Sequence, residues 1–231
     1  MVGLKKMKPI KFQSELLQVI DLTPTVKHFK FSCPKDFSFI PGQFLTAILS
    51  NGQLIIRRSY SLASSPDKDY IELCIKKVDK GPATNILFNL NTGDKIDFMG
   101  PLGMFVVKNK DKKIVLISTG TGIGPFRSII HDNPNSKIML LTGYRSEGEV
   151  LYDDEFNKLR NNHFEYHYCI SQPINHDGNK GRVQELITKY VPEDFDGDFY
   201  LCGLKDMIFE TKEFLEKKGI DEKRIYFERY D

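Results

Sequence analysis

The sequence predicts two domains in series, an antiparallel β-barrel or sandwich followed by a parallel α/β domain. Three observations carry this. Up to about residue 108 the chain is a succession of short runs rich in β-branched and aromatic residues, parted by Gly, Pro, Asn and Asp turns. After it, short apolar strands alternate with segments of helical period. Between the two, "KNKDKK" (Lys108 to Lys113) is polar and turn-like. We therefore expect a first domain over 1–107 and a second over 112–231.

In the first half the strands are read in "KFQSELLQVIDL", "TVKHFKFSC", "GQFLTAIL", "RRSYSLAS", "DYIELCIKKV" and "GDKIDFMGPLGMF". Six strands at this spacing suit an antiparallel barrel or sandwich. One segment there has helical period, "ATNILFNL", with Ile86, Leu87 and Leu90 on one face. In the second half the strands are "KIVLIS", "KIMLLTGY", "EYHYCIS", "DFYLCG" and "RIYFERY". The intervening helices are "PFRSIIHD", "YDDEFNKLR", "VQELITKYV" and "KDMIFETKEFLEKKG", with Pro125 suited to a first turn. This alternation gives a five-stranded parallel sheet covered on both faces.

Composition narrows the function. The chain has 231 residues, 40% hydrophobic and 28% charged, as in a soluble globular protein. A net charge of +2, with Lys and Arg scattered, argues against nucleic acid. No apolar run approaches the roughly 18–20 residues that a membrane span needs. The start, "MVGLKKMKPIKF", lacks the apolar core of a secretory signal. Cys33, Cys74, Cys169 and Cys202 form no CxxC pair, so no metal or iron–sulfur site is expected and a reducing cytoplasm is the expected compartment. His163 and His167 fall in or near a strand, "DFDGDF" lacks the later calcium ligands, and "YDDEF" reads as acids at a helix N-terminus.

The stretch "STGTGIGPF" places Gly120, Gly122 and Gly124 between a strand and a helix. There, backbone N–H groups and the helix N-terminus face an anion. The spacing is not the Rossmann G-x-G-x-x-G, and Tyr144 and Arg145 stand where that fold keeps an acidic residue for the ribose. This reads as a pyrophosphate site of another kind. The same glycines would serve a close strand–helix crossing. In the first half, strand alternation sends Arg58 and Tyr60 to one face, with Ser61 beside them. Arginine suits phosphate and tyrosine suits a flat ring. Gly81 and Thr84 start the one helix there, a second anion-facing turn. An exposed strand and an ordinary capped helix would look the same.

Together, R-S-Y-S at 58–61, G-P-A-T at 81–84, "GPLGMF" at 100–105, "TGTGIGP" at 119–125, "YLCGLKDM" at 200–207 and a terminal "ERY" resemble the ferredoxin–NADP reductase family of flavoenzymes, in the expected order over nearly the whole chain. The resemblance implies a six-stranded Greek-key barrel that holds FAD, then a five-stranded parallel nicotinamide-nucleotide domain. It implies that Arg58, with Ser59 in the same run, binds the FAD pyrophosphate, Tyr60 packs on the isoalloxazine and Ser61 bonds near its N5. The backbone of Cys74, Ile75 and Lys76 would line the flavin side chain. Gly81, Pro82, Ala83 and Thr84 would hold its pyrophosphate. Thr119, Gly120, Thr121, Gly122 and Gly124 would take the pyrophosphate of NAD(P)H, and Cys202, Gly203 and Leu204 would approach the nicotinamide. By resemblance Glu228 assists proton movement and Tyr230 shields the flavin. Asp231 makes the end one residue longer than the usual plant pattern.

The family's NADPH members often carry Ser-Arg where this chain has Ser171 and Gln172. Lys180, Arg182 and Gln184 lie near the place where the family meets the adenosine phosphate, and no carboxylate is read there. The expected reductant is NADPH with Arg182 setting the preference, and NADH is the alternative. The implied activity is hydride transfer between NAD(P)H and FAD, then single electrons to a separate small acidic carrier, ferredoxin or flavodoxin. Arg57, Lys76, Lys77 and Lys80 would steer that carrier. The alternatives are an NADH-dependent reductase component for an oxygenase or cytochrome, and an electron-conduit subunit of a larger complex.

Overall fold

The computed structural model describes residues 8–230 apart from 51 and 53. Of the opening residues read for a signal, 1–7 lie outside the described residues, as does Asp231. Met1–Val106 with Arg127–Asp132 form one compact unit, and Val107–Phe126 with Asn133–Asp231 form another.

In the first unit six strands pair antiparallel throughout: β1 (Ile10–Thr23), β2 (Val26–Ser32), β3 (Phe44–Ser50), β4 (Ile55–Ser61), β5 (Tyr70–Lys76) and β6 (Lys95–Leu102). Their order is β4-β3-β6-β1-β2-β5. A lone Leu62↔Leu73 bridge joins the two outermost strands, so the sheet curls onto itself as a Greek-key barrel. Alternation decides which side chains fill it. On β2, Phe29 and Phe31 face inward opposite Leu73 and Ile71, and all four are fully buried. Phe98 of β6 meets Phe31 edge-on at 5.2 Å. Each such ring contributes about 2–3 kcal/mol by leaving water. Helix α1 (Pro82–Phe88) closes this core with Leu87.

The second unit runs β7 (Lys113–Thr119), α2 (Ile123–Asp132), β8 (Ile138–Tyr144), α3 (Asp153–Leu159), β9 (Phe164–Ile170), β10 (Asn179–Lys180), α4 (Val183–Tyr190), β11 (Gly197–Leu204), α5 (Lys205–Lys217) and β12 (Ile225–Tyr230), the second half of α2 counting with the first unit. The sheet is wholly parallel, in the order β10-β9-β8-β7-β11-β12. It has six strands where the sequence predicts five. The extra one, β10, is two residues paired with Cys169 and Ile170, too short to show any period. From Ile114 to Ser118, β7 is buried without a break, as a central strand covered on both faces must be. The chain builds outward from β7 through β8, β9 and β10, then returns to lay β11 on the other side of β7. The strand order therefore reverses at β7, and a parallel sheet opens a ligand crevice at the C-terminal ends of the strands there. Among the described residues, no helix is long and apolar enough to cross a membrane.

Candidate cofactor sites

The glycine run sits at that reversal. Gly120–Gly122 form a single 3-10 turn between β7 and α2. Its glycines are there for different reasons. Gly120 has φ +52°, and a Cβ on it would meet nothing within 4 Å, so its outer side is open. Gly122 has no such room: a Cβ would lie 2.2 Å from the Cys202 carbonyl oxygen, so the turn crosses β11 backbone to backbone. Gly124 is buried in the first turn of α2, and Thr121 is half-buried.

Beside the turn, the hydroxyls of Ser118, Thr119 and Thr142 are buried and have no hydrogen-bond partner among the described residues. Register places Ser118 next to Thr142 on one side and Cys202 on the other. An unpaired buried hydroxyl costs about 1–3 kcal/mol. Three of them at the C-terminal ends of β7 and β8, next to an open glycine backbone, fit a polar ligand such as a nucleotide pyrophosphate.

On β11 and β12 the register pairs Cys202 with Glu228, and Leu204 with Tyr230. Cys202 is fully buried. Burial pushes its thiol well above the ordinary value, the Glu228 carboxylate pushes the same way, and a hydrogen bond from Tyr230 opposes them. Cys202, Glu228 and Tyr230 thus meet within this unit. Gly203 is held close as well: a Cβ on it would stand 2.7 Å from Thr119 Oγ1. Leu204 is 67% exposed at the strand end.

The adenosine-side residues are placed less uniformly. Tyr144 is buried and its hydroxyl donates to the Leu151 carbonyl at 3.4 Å. Arg145 and Ser171 are exposed, and the Ser171 N–H donates to the Tyr144 carbonyl. Gln184 donates to Thr211 Oγ1 at 3.2 Å, tying α4 to α5. Arg182 is exposed and its Nη1 lies 2.5 Å from Glu210 Oε2. The expectation that no carboxylate stands there is therefore corrected. Glu210 comes from α5, 28 residues further on, and no local pattern announces it.

In the first unit, register sets Arg58 opposite Ala47 and Tyr60 opposite Leu45, so both share one face of β4. Arg58 is exposed, with Nη1 donating to the Arg57 carbonyl at 2.8 Å. Tyr60 is half-buried against the barrel core, and burial pushes its hydroxyl up to about 12 despite the Arg58 charge. Ser59 turns to the other face, with Oγ 3.5 Å from Thr46 Oγ1. Ser61 ends the strand, buried. On β5, Cys74 is half-buried, Ile75 is in the core and Lys76 is exposed. Gly81 caps α1, Pro82 opens it and Ala83 is buried beneath. Buried Thr84 accepts from the Val78 N–H at 3.2 Å, and its own proton reaches the Gly81 or Val78 carbonyl. An exposed arginine, a half-buried phenol ring and a glycine-capped helix start are the donor set that a flavin nucleotide requires.

Sequence reasoning missed Glu72, His28 and Arg127. Burial alone would raise the Glu72 carboxyl, but hydrogen bonding from His28 and the charge and hydrogen bond of Arg127 hold it down at about 2. The one local sign is an acid among apolar residues on β5.

Comparison with known proteins identifies the type of each half. Residues 13–107 match the oxidoreductase FAD-binding domain and residues 116–213 the oxidoreductase NAD-binding domain. The chain is 28% identical to ferredoxin–NADP reductase B of Sorangium cellulosum, over 95% of this chain and 98% of that protein. It is 30% identical to a component of the Na(+)-translocating NADH-quinone reductase of a Marinomonas strain, over 75% of this chain but 48% of that component. The chain thus spans about half the length of that relative. A ferredoxin NADP+ reductase from Neisseria gonorrhoeae, solved with FAD and NADP bound, superposes with a TM-score of 0.86 at 22% identity, over 95% of this chain and 98% of that one. An antiparallel FAD-binding barrel followed by a parallel nicotinamide-nucleotide domain defines a class of two-cofactor flavoproteins. The chain belongs to the ferredoxin reductase-like family of that class.

Proposed function

We propose that this protein carries reducing equivalents between a nicotinamide nucleotide and FAD, and between FAD and a separate one-electron carrier, ferredoxin or flavodoxin. The meeting of Cys202, Glu228 and Tyr230 beside the glycine turn is the observation that carries the reading. When bound, the cofactors supply the chemistry: two-electron exchange at the nicotinamide and one-electron release at the flavin. The chain's residues orient and protect. Arg58 neutralises the FAD pyrophosphate, Tyr60 supports the flat ring, and Ser61 bonds its polar edge. Cys74, Ile75 and Lys76, with Gly81 to Thr84, follow the rest of the flavin nucleotide. Thr119 to Gly124 hold the nicotinamide pyrophosphate. The Cys202 thiol stays protonated and presents an uncharged wall. Glu228 exchanges a proton with solvent, and Tyr230 covers the reacting face. Exposed Arg57, Lys76, Lys77 and Lys80 attract an acidic carrier, so its reduction rate should fall as ionic strength rises.

NADPH is the proposed reductant, with Arg182 meeting its 2′-phosphate. The Arg182–Glu210 pair is exposed, and such pairs are worth about 1 kcal/mol or less, so a phosphate dianion displaces the carboxylate. Arg182→Ala should lower the NADPH-to-NADH ratio of kcat/KM about tenfold. Glu210→Gln should raise it by a smaller factor. An unchanged ratio in Arg182→Ala removes Arg182 from the reading. The first experiment is anaerobic bleaching of the purified yellow protein by each nucleotide. Protein that stays colourless after incubation with FAD would sink the proposal. Faster bleaching by NADH would favour a second reading, an NADH-fed electron conduit within a larger complex. Glu210 on Arg182 and the similarity to the NADH-quinone reductase component support that reading.

A further inference from the structure

On the face of β2 and β5 opposite the core, three polar side chains meet in a buried cluster. Glu72 is 8% exposed and His28 5%. Glu72 Oε1 lies 3.3 Å from His28 Nε2, and Oε2 lies 2.5 Å from Arg127 Nη1. Arg127, which counts with the first compact unit, also donates from Nη1 to the Ala63 carbonyl at 2.9 Å. The Glu72 backbone grips the same place: its carbonyl accepts from the Ala63 N–H at 2.8 Å, and its N–H donates to Ser64 Oγ at 3.1 Å. All of Ser61 to Ser65 is buried.

A buried ion pair is a poor source of stability, because desolvation cancels most of its attraction. What this one does is local. Apart from the contact with His28, these bonds of Glu72 and Arg127 end on the other member of the pair or on residues 63 and 64. Those residues closely follow the end of β4. Without Arg127 the Ala63 carbonyl would be a buried acceptor short of its donor, and the segment would have one fewer reason to keep its path.

We infer that Glu72 is a positioning residue for the flavin-binding end of β4. It holds Arg127 against the Ala63 carbonyl and so fixes the backbone that aims Tyr60 and Ser61. The inference rests on the reading of Arg58, Tyr60 and Ser61 as flavin-binding groups. Glu72 acts through that backbone and not by touching the cofactor.

The test separates positioning from plain stability. Glu72→Gln combined with Arg127→Met removes both charges at nearly constant volume, so the melting temperature should fall only by the cost of the one acceptor left short of its donor. The Ala63 carbonyl loses its donor in that variant. The FAD dissociation constant should then rise about tenfold. The visible circular dichroism of bound FAD, which reports how the ring is held, should change with it. Wild-type affinity and an unchanged spectrum would overturn the inference. Ser64→Ala provides a milder check if the double variant folds poorly. It removes only the acceptor of the Glu72 N–H and should shift affinity and spectrum in the same direction; no shift would again overturn the inference. Arg58→Ala is measured alongside. If Arg58→Ala weakens FAD and the other variants do not, the positioning role alone is wrong. If Arg58→Ala leaves FAD binding intact, the flavin site is misplaced and both readings fall.

Discussion

At the start of α1, one side chain closes the turn: Thr84 Oγ1 takes the Val78 N–H and donates its own proton to the Gly81 or the Val78 carbonyl. α1 itself has no side-chain N-cap, and neither has the turn that leads into α2, among the described residues. That second turn is held instead by the contact of Gly122 with the backbone of Cys202, while the Ser118, Thr119 and Thr142 hydroxyls beside it find no partner among those residues. Both stretches read as glycine-led anion sites in sequence. The first turn is closed by a side-chain hydroxyl of its own. The second leaves three buried hydroxyls unpaired among the described residues, which on the proposed function a bound nucleotide would engage.

The sharpest way to break this comparison is Gly122→Ala. The added methyl would sit 2.2 Å from a backbone oxygen that cannot rotate away. We expect a loss of about 3 kcal/mol in urea unfolding. Gly120→Ala meets no atom and should cost only the left-handed strain, about 1–2 kcal/mol. Equal losses would mean that the crossing with β11 is not what fixes Gly122. Next in size, Thr84→Val keeps the shape and deletes the hydroxyl, with an expected loss of about 1–2 kcal/mol and no compensation by added FAD. Stability fully restored by FAD would show that this turn, too, depends on its ligand.

Acid should test the first unit as well. Its folded-state Glu72 carboxyl lies at about 2, below the ordinary 4.5. A depressed carboxylate stabilises above the unfolded value and loses that contribution as pH falls towards the folded one. The gap in melting temperature between wild type and Glu72→Gln should therefore be full above about pH 4.5 and shrink on the way to pH 2. A gap constant between pH 5 and 3 would contradict the ion cluster.

Much of this was legible because periodicity is local. Phe29 and Phe31 alternate with His28 and Lys30, which sets the inner face of β2; the unbroken apolar run of β7 marks a central parallel strand. The shared face of Arg58 and Tyr60 follows from the same period of two. What stayed hidden is non-local or too short. β10 has two residues. Glu72 and Arg127 are 55 residues apart, and Arg182 and Glu210 are 28 apart. Gln184 looked free to face a phosphate, and only the approach of α5 turns it to Thr211. The glycine run announced a turn, but it could not say which glycine serves a crossing and which an opening.

The strand order of the barrel has a consequence for how it assembles. β6 is the last of its six strands in the chain, yet it lies between β3 and β1. Without it the sheet falls into two patches: β3 with β4, and β1 with β2 and β5. Each of those patches contains a hairpin between chain neighbours, and the Leu62–Leu73 bridge links the two patches over a short loop. Such local closures cost little chain entropy and form early, whereas pairing Ile10 with Gly100 must close most of the domain's length. The barrel is thus a keystone arch, and the arrival of β6 is its expected slow step.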